Sequence, residues 1–209
     1  MQIKYKGIDI SHWQKSVKWS VLKNNIDFCI IKAGGSDKTD FFYEDPKFRE
    51  FYTACKNNNI AVGCYWFAGK NSLGTDAGIR EAKYLLAMIN GLKFEMPIYL
   101  DFEQGKAKNK EANTKFCKAF LKKLENSGYF AGLYSSDISG FRDTLDIEEL
   151  YQFSLWVARY GKQPEYIAHY HVWQYSSKGH IDGIYGNVDL HNMYVNLPKI
   201  IKSRHFNGY

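Results

Sequence analysis

The chain has little of what marks several common protein classes. Only 4 of its 209 residues are Pro, and no composition shift or low-complexity stretch divides it, so no linker between domains is expected. No apolar run approaches the ~18 residues of a membrane-spanning helix, so no membrane insertion is expected. Residues 1–7 run straight into a strand-like pattern without the apolar region of a signal peptide, which implies synthesis in the cytoplasm. Cysteine is scarce too: Cys29, Cys55, Cys64 and Cys117 each lie in an apolar run or on an apolar helix stripe. Without CxxC or Cys/His spacing they read as buried free thiols in a reducing compartment. No GxGxxG, GxSxG or HExxH is present. Gly63–Lys70 mimics a phosphate loop, but it is one residue too long and bulky where flexibility is needed. His169 and His171 share a strand face but have no clear third ligand, so neither a metal nor another cofactor is expected.

What is abundant is aromatic. Five Trp, 16 Tyr and 14 Phe make up 17% of the chain, more than a core alone requires and typical of surfaces that stack flat rings such as sugars or bases. The net charge is +6, and many of the lysines lie between Lys106 and Lys123. They interleave with Ala112, Phe116, Cys117, Phe120, Leu121 and Leu124, which defines an amphipathic helix with a basic outer face. Lys without Arg is poor at bidentate recognition, so nucleic acid is not an expected partner.

Strand-like and helix-like segments alternate. Strands are expected at Gly7–Ile10, Phe28–Lys32, Ala61–Phe67, Pro97–Phe102 and Phe130–Ser135. Helices are expected over Trp19–Asn25, from Asp45-Pro46 onward with Asp45 as N-cap, over Asp76–Asn90, and over the basic stretch to about Ser127. That pattern implies a parallel sheet with right-handed crossovers. The last third compresses three strands, Leu155–Arg159, His171–Tyr175 and Val188–Asn192, into fewer than forty residues, leaving no room for full helices. The architecture expected is α/β: one TIM-like β/α barrel of about eight strands, with a reduced helix count in the C-terminal third. An open doubly wound sheet is the alternative.

In such a barrel, chemistry sits at the C-terminal ends of the strands. There Asp101 and Glu103 end an apolar strand two residues apart, on one face. Two carboxylates so close raise one pKa, giving a protonated acid beside an anion, which is what glycoside hydrolysis requires. The first strand adds Asp9 and the last adds Asp189. Tyr65, Trp66, Tyr134, Trp156, Trp173 and Gln174 sit at matching strand ends, suited to sugar faces and hydroxyls.

Gly7-Ile-Asp9-Ile-Ser11-His-Trp-Gln14, Phe28-Cys-Ile-Ile-Lys32-Ala33-Gly34, Gly63-Cys-Tyr65-Trp-Phe, Tyr99-Leu-Asp101-Phe-Glu103, Leu133-Tyr134-Ser135, Leu155-Trp156-Val-Ala158-Arg-Tyr160, Trp173-Gln174-Tyr175 and Val188-Asp189-Leu occur in that order. The set resembles the glycoside hydrolase family 25 lysozymes, the muramidases of bacteria and their phages. The resemblance implies a flattened barrel that hydrolyses the β-1,4 bond between N-acetylmuramic acid and N-acetylglucosamine. It implies Glu103 as general acid, Asp101 stabilising the reacting centre, Asp9 and Asp189 lining the site, and Tyr65 and Tyr134 contacting sugar. His191 stands where Asn is more usual.

Retention through the substrate's acetamido group and inversion through an Asp9 or Asp189 base both remain open, with retention favoured. The partners expected are peptidoglycan glycan strands, with electrostatic attraction of the basic surface to anionic wall polymers. The site of action expected is the bacterial cell wall, reached by phage-type release. The matching motifs extend from Gly7 to Leu190, so residues 1–209 are expected to form one catalytic barrel without a separate wall-binding module. A chitinase-like glycosidase and a non-catalytic glycan-binding barrel are the alternatives.

Overall fold

The computed structural model describes residues 2, 4–36 and 41–209. Its strands are β1 (Tyr5–Ile10), β2 (Phe28–Ser36), β3 (Phe42–Glu44), β4 (Ala61–Phe67), β5 (Ile98–Asp101), β6 (Ala131–Ser136), β7 (Ser154–Ala158), β8 (Val172–Gly179) and β9 (Val188–Met193). They form a single sheet in the order β1-β9-β8-β7-β6-β5-β4-β2-β3. A further pairing of β1 with β2 closes eight of them into a barrel, and β3 hangs on β2 as an antiparallel extension.

The barrel is mixed rather than wholly parallel. Strands β1, β2, β4, β5, β6, β7 and β8 run parallel, while β9 is antiparallel to both β8 and β1. A parallel return needs a crossover of a dozen or more residues. The chain leaves β8 at Gly179 and enters β9 at Val188, too short a path for that. The reversal also positions the site, because the N-terminal end of β9 reaches the mouth formed by the C-terminal ends of the others.

Strand alternation sorts side chains between two cores. Phe28, Ile30, Tyr65, Tyr99, Tyr134, Trp156 and Val172 fill the barrel interior. Their neighbours Cys29, Ile31, Cys64, Trp66, Leu100, Leu133, Leu155 and Val157 face outward under the helices. Gly7 leaves room for the inner layer: a Cβ there would stand 2.4 Å from the Phe28 ring.

The helices are α1 (Trp19–Leu22), α2 (Phe48–Asn57), α3 (Gly74–Ile89), α4 (Lys110–Glu125) and α5 (Leu197–Ser203). Phe48, Phe51 and Cys55 form the buried stripe of α2, and each fully buried Phe contributes about 1.5–3 kcal/mol. Asp45 does not cap α2 as expected. It accepts from the Lys47 amide at 2.9 Å and holds the turn that leads into the helix. Helices α3 and α4 pack closely because Gly78 has no side chain; a Cβ there would meet the Phe116 carbonyl at 2.4 Å. Between β6 and β8 only a π-helical turn (Asp137–Arg142) and a 3-10 turn (Ile147–Glu149) replace full helices.

All four cysteines are buried and free. No described helix is long and apolar enough to cross a membrane.

Candidate active site

Four carboxylates gather at the mouth. In the β1–β9 ladder Asp9 lies directly opposite Asp189, and Asp101 ends β5 opposite Tyr134 of β6. Glu103 follows Asp101 after Phe102. The Phe102 ring is buried in the outer core, which turns Glu103 toward the mouth, where it lines an open cavity of about 420 Å³ with Tyr134, Ser136, Arg159 and Tyr160. Glu103 is exposed and Asp101 is buried, so two acids of one strand end have different surroundings.

Gln174 ties the cluster together. Its Nε2 donates to Asp9 Oδ2 at 2.9 Å and to Asp189 Oδ2 at 3.3 Å. Its Oε1 accepts from the hydroxyls of Tyr134 at 2.8 Å and Tyr160 at 2.9 Å. Two phenol donors on one side and two carboxylates on the other leave a single sensible orientation for the amide.

Asp9 Oδ2 accepts a second bond from His191 Nε2 at 2.9 Å. On the far side of the ring, the Trp156 indole N–H reaches His191 Nδ1 at 3.3 Å. An indole only donates, so Nδ1 must present its lone pair and Nε2 must carry the proton. His191, the departure from the expected Asn, therefore serves Asp9 rather than Asp189.

Burial, reinforced by neighbouring charge, shifts three of these acids upward. Burial, followed by the Glu103 charge, raises Asp101 well above the ordinary carboxylate range, against the pull of Lys32. Although the residue is exposed, partial desolvation of its carboxyl among the surrounding side chains raises Glu103, followed by Asp9, again opposed by Lys32. Asp189 is pushed up to about 8, first by burial and then by Asp9. Lys32 is thus the cation that acts on both acids, with Arg159 a second cation on the cavity wall. Its ammonium also lies over the rings of Phe67 (4.7 Å), Tyr43 (5.7 Å) and Tyr65 (6.0 Å). Sequence reasoning left Lys32 and Tyr160 out of the site, since a lysine in an apolar strand carries no motif of its own chemistry.

Among the described residues, Asp101 Oδ1 is one of two buried side-chain oxygen or nitrogen atoms without a hydrogen-bond partner; the other is Asn113 Oδ1. No group of three or more described His, Cys, Asp or Glu side chains could hold a metal. His169 and His171 line one cavity with Tyr170, away from the carboxylates; His171 is half-buried with Ser154 Oγ 3.2 Å from its Nδ1, and His169 is exposed.

Two of the expected sugar contacts are corrected. Trp66 is fully buried on the outer face of β4, its indole donating to Glu81 Oε2 at 2.6 Å. Trp173 faces away from Gln174 and bonds the Arg159 carbonyl at 2.8 Å. Neighbours on a strand point to opposite faces, so Tyr65 excludes Trp66 from the mouth and Gln174 excludes Trp173. Trp156 does sit in the barrel, against Tyr134 at 4.3 Å, but it is only 2% exposed and forms the floor of the site.

A closed β/α barrel with carboxylates clustered at an aromatic mouth holds the kinds of group that glycoside hydrolysis uses. The chain belongs to the glycosyl hydrolases family 25, whose model matches residues 8–184. It is 28% identical over 187 residues to the autolytic lysozyme of Clostridium acetobutylicum, covering 88% of this chain and 54% of that protein. Against lysozyme M1 of Streptomyces globisporus it is 28% identical over 209 residues, 88% of this chain and 66% of the other. The chain thus spans between about half and two thirds of these relatives' length. The bacterial lysozyme from Streptomyces coelicolor shares the fold, with a TM-score of 0.79 at 22% identity over 98% of this chain and 100% of that one.

Proposed function

We propose that this protein is a muramidase that cleaves the β-1,4 bond between N-acetylmuramic acid and N-acetylglucosamine in peptidoglycan. The observation that carries the reading is the unlike pair at the end of β5. Glu103 is exposed, with its proton held more tightly than that of an ordinary carboxyl, and Asp101 is buried beside it with an unpartnered oxygen. Glu103 would donate its proton to the glycosidic oxygen as the bond to the anomeric carbon breaks. Asp101 Oδ1 would accept the N–H of the substrate's acetamido group, orienting its carbonyl oxygen to attack that carbon. Deprotonated Glu103 would then activate the water that opens the cyclic intermediate, retaining configuration. Tyr65 and Tyr134 would contact the sugar above the Trp156 floor, while Gln174, as buried as Trp156, would hold Asp9, Asp189 and Tyr134 in place.

Mass spectrometry of fragments released from a defined Gram-positive wall tests the activity: muramic acid at the new reducing ends supports it. Reducing N-acetylglucosamine ends, release of oligomers from chitin alone, or wall binding without new ends would each replace it. Proton NMR of fresh hydrolysate tests the mechanism. The β-anomer appearing first supports retention, and the α-anomer first would assign Asp9 or Asp189 as the base of an inverting reaction.

In this reading residues 1–209 act as one catalytic barrel on the bacterial cell wall. The net charge of +6 supports attraction to anionic wall polymers, although Lys110, Lys115, Lys118 and Lys122 of α4 are engaged with neighbouring groups. Lysis that falls faster with salt than small-substrate turnover supports that attraction.

A further inference from the structure

We infer that Trp13 and Tyr185 form an outer ledge on which the glycan strand stacks beyond the carboxylates, an inference that rests on the muramidase reading. Both rings stand in water, Trp13 74% and Tyr185 94% exposed. Isolated exposed aromatics are ordinary on protein surfaces. These two differ in where they sit and in how firmly their loops are held.

Trp13 follows Asp9 by four residues on the loop leaving β1, and Tyr185 precedes Asp189 by four on the loop entering β9. Four residues span at most about 14 Å, so neither ring is far from the mouth, and neither belongs to the lining of the Glu103 cavity. Asp9 and Asp189 are themselves paired in the ladder, which brings the two loops to the same side of the mouth.

The loops are fastened to each other and to the barrel. Gln14 Nε2 donates to the Asn187 carbonyl at 3.4 Å, the Lys18 amide donates to the Gly183 carbonyl at 2.7 Å, and Val17 pairs with Ile184 as an isolated bridge. The Ser11 amide donates to Gln14 Oε1 at 3.0 Å. His12 Nδ1 meets the buried Asp45 at 2.7 Å, and the His12 ring lies 4.7 Å from that of Trp13. A ring displayed on a latched loop loses little further freedom on binding, as a preformed platform requires. The indole and phenol faces suit the apolar faces of N-acetylated pyranoses, with the phenol hydroxyl left to bond a sugar hydroxyl. Trp13 is thereby assigned a role that neither the catalytic carboxylates nor the inner aromatics fill.

The test compares the wild type with Trp13→Ala, Tyr185→Ala and Trp13→Phe on two substrates, long soluble peptidoglycan strands and a tetrasaccharide confined to the mouth. Each Ala variant is expected to raise KM for the strands about fivefold while the tetrasaccharide KM stays nearly level, with Trp13→Phe largely restoring the wild-type value. Equal changes on both substrates, or no change on either, would overturn the ledge. Acrylamide quenching in a Glu103→Gln background gives a readout independent of turnover. Long strands should shield a Trp fluorescence component that is missing when Trp13→Phe is added. Hydrolysis without shielding rejects the ledge alone. Shielding in a protein whose wild type cleaves neither substrate rejects the muramidase reading and keeps the ledge as a glycan-binding surface.

Discussion

The indole N–H of Trp156 lies 3.3 Å from His191 Nδ1, and this contact sets which proton His191 can offer to Asp9. A core tryptophan thereby orients a carboxylate at the mouth through one imidazole. His191→Phe would keep the ring's bulk while leaving the Trp156 N–H and one Asp9 bond unmade. We expect a stability loss of about 1–3 kcal/mol in denaturant melts, together with a fall in kcat larger than any rise in KM. Unchanged kcat in a folded variant would show that Asp9 needs no such support.

Lys32 opposes the upward shift of both Asp101 and Glu103. Removing its charge lets both acids hold their protons to higher pH. In Lys32→Met the alkaline limb of the pH–rate profile should therefore move up, because that limb follows loss of the Glu103 proton. A limb that moves down or stays fixed would contradict the electrostatic role given to Lys32.

Asp189 makes folding dependent on pH. Its folded pKa of about 8 lies above the value near 3.9 of an unfolded Asp. Between those values the folded state binds the extra proton, so this group's contribution to stability falls as pH rises through the window and levels off above it. Asp189→Asn should flatten that part of the curve, as measured by melts at a series of pH values. A steeper decline in the variant would reverse the sign assigned here.

Trp66 provides a control on the site boundary. Trp66→Phe should cost about 1–2 kcal/mol, since Glu81 loses a donor in a buried network with Ser36 and Ser72. KM for glycan should be unaffected. A raised KM with unchanged stability would return Trp66 to the sugar site.

These contrasts show what could be read from the residues and what could not. The barrel and its helix-poor last third are legible in segment spacing; neighbouring first and last strands allow Asp9 and Asp189 to share a mouth, but their direct opposition depends on the antiparallel course of β9. The direction of β9 is not set by the segment pattern, although the eight residues separating Gly179 from Val188 are too few for a parallel return. Period-two alternation could have removed Trp66 and Trp173, because Tyr65 and Gln174 already occupied the inner face. Lys32 and the Trp156–His191–Asp9 relay were out of reach, since each depends on register between strands far apart in sequence. The aromatic surplus went mostly into the two cores, and the rings most open to water among the Trp and Tyr residues, Trp13 and Tyr185, lie in loops without periodicity.

Glu103 as the proton donor is tested most directly by turnover of purified Gram-positive walls by Glu103→Gln. Glutamine keeps the shape and removes the acid. Release of muropeptides should fall by about a hundredfold or more, with the fold and wall binding intact. Release at the wild-type rate would contradict it and move the search for the acid to Asp9, Asp101 or Asp189.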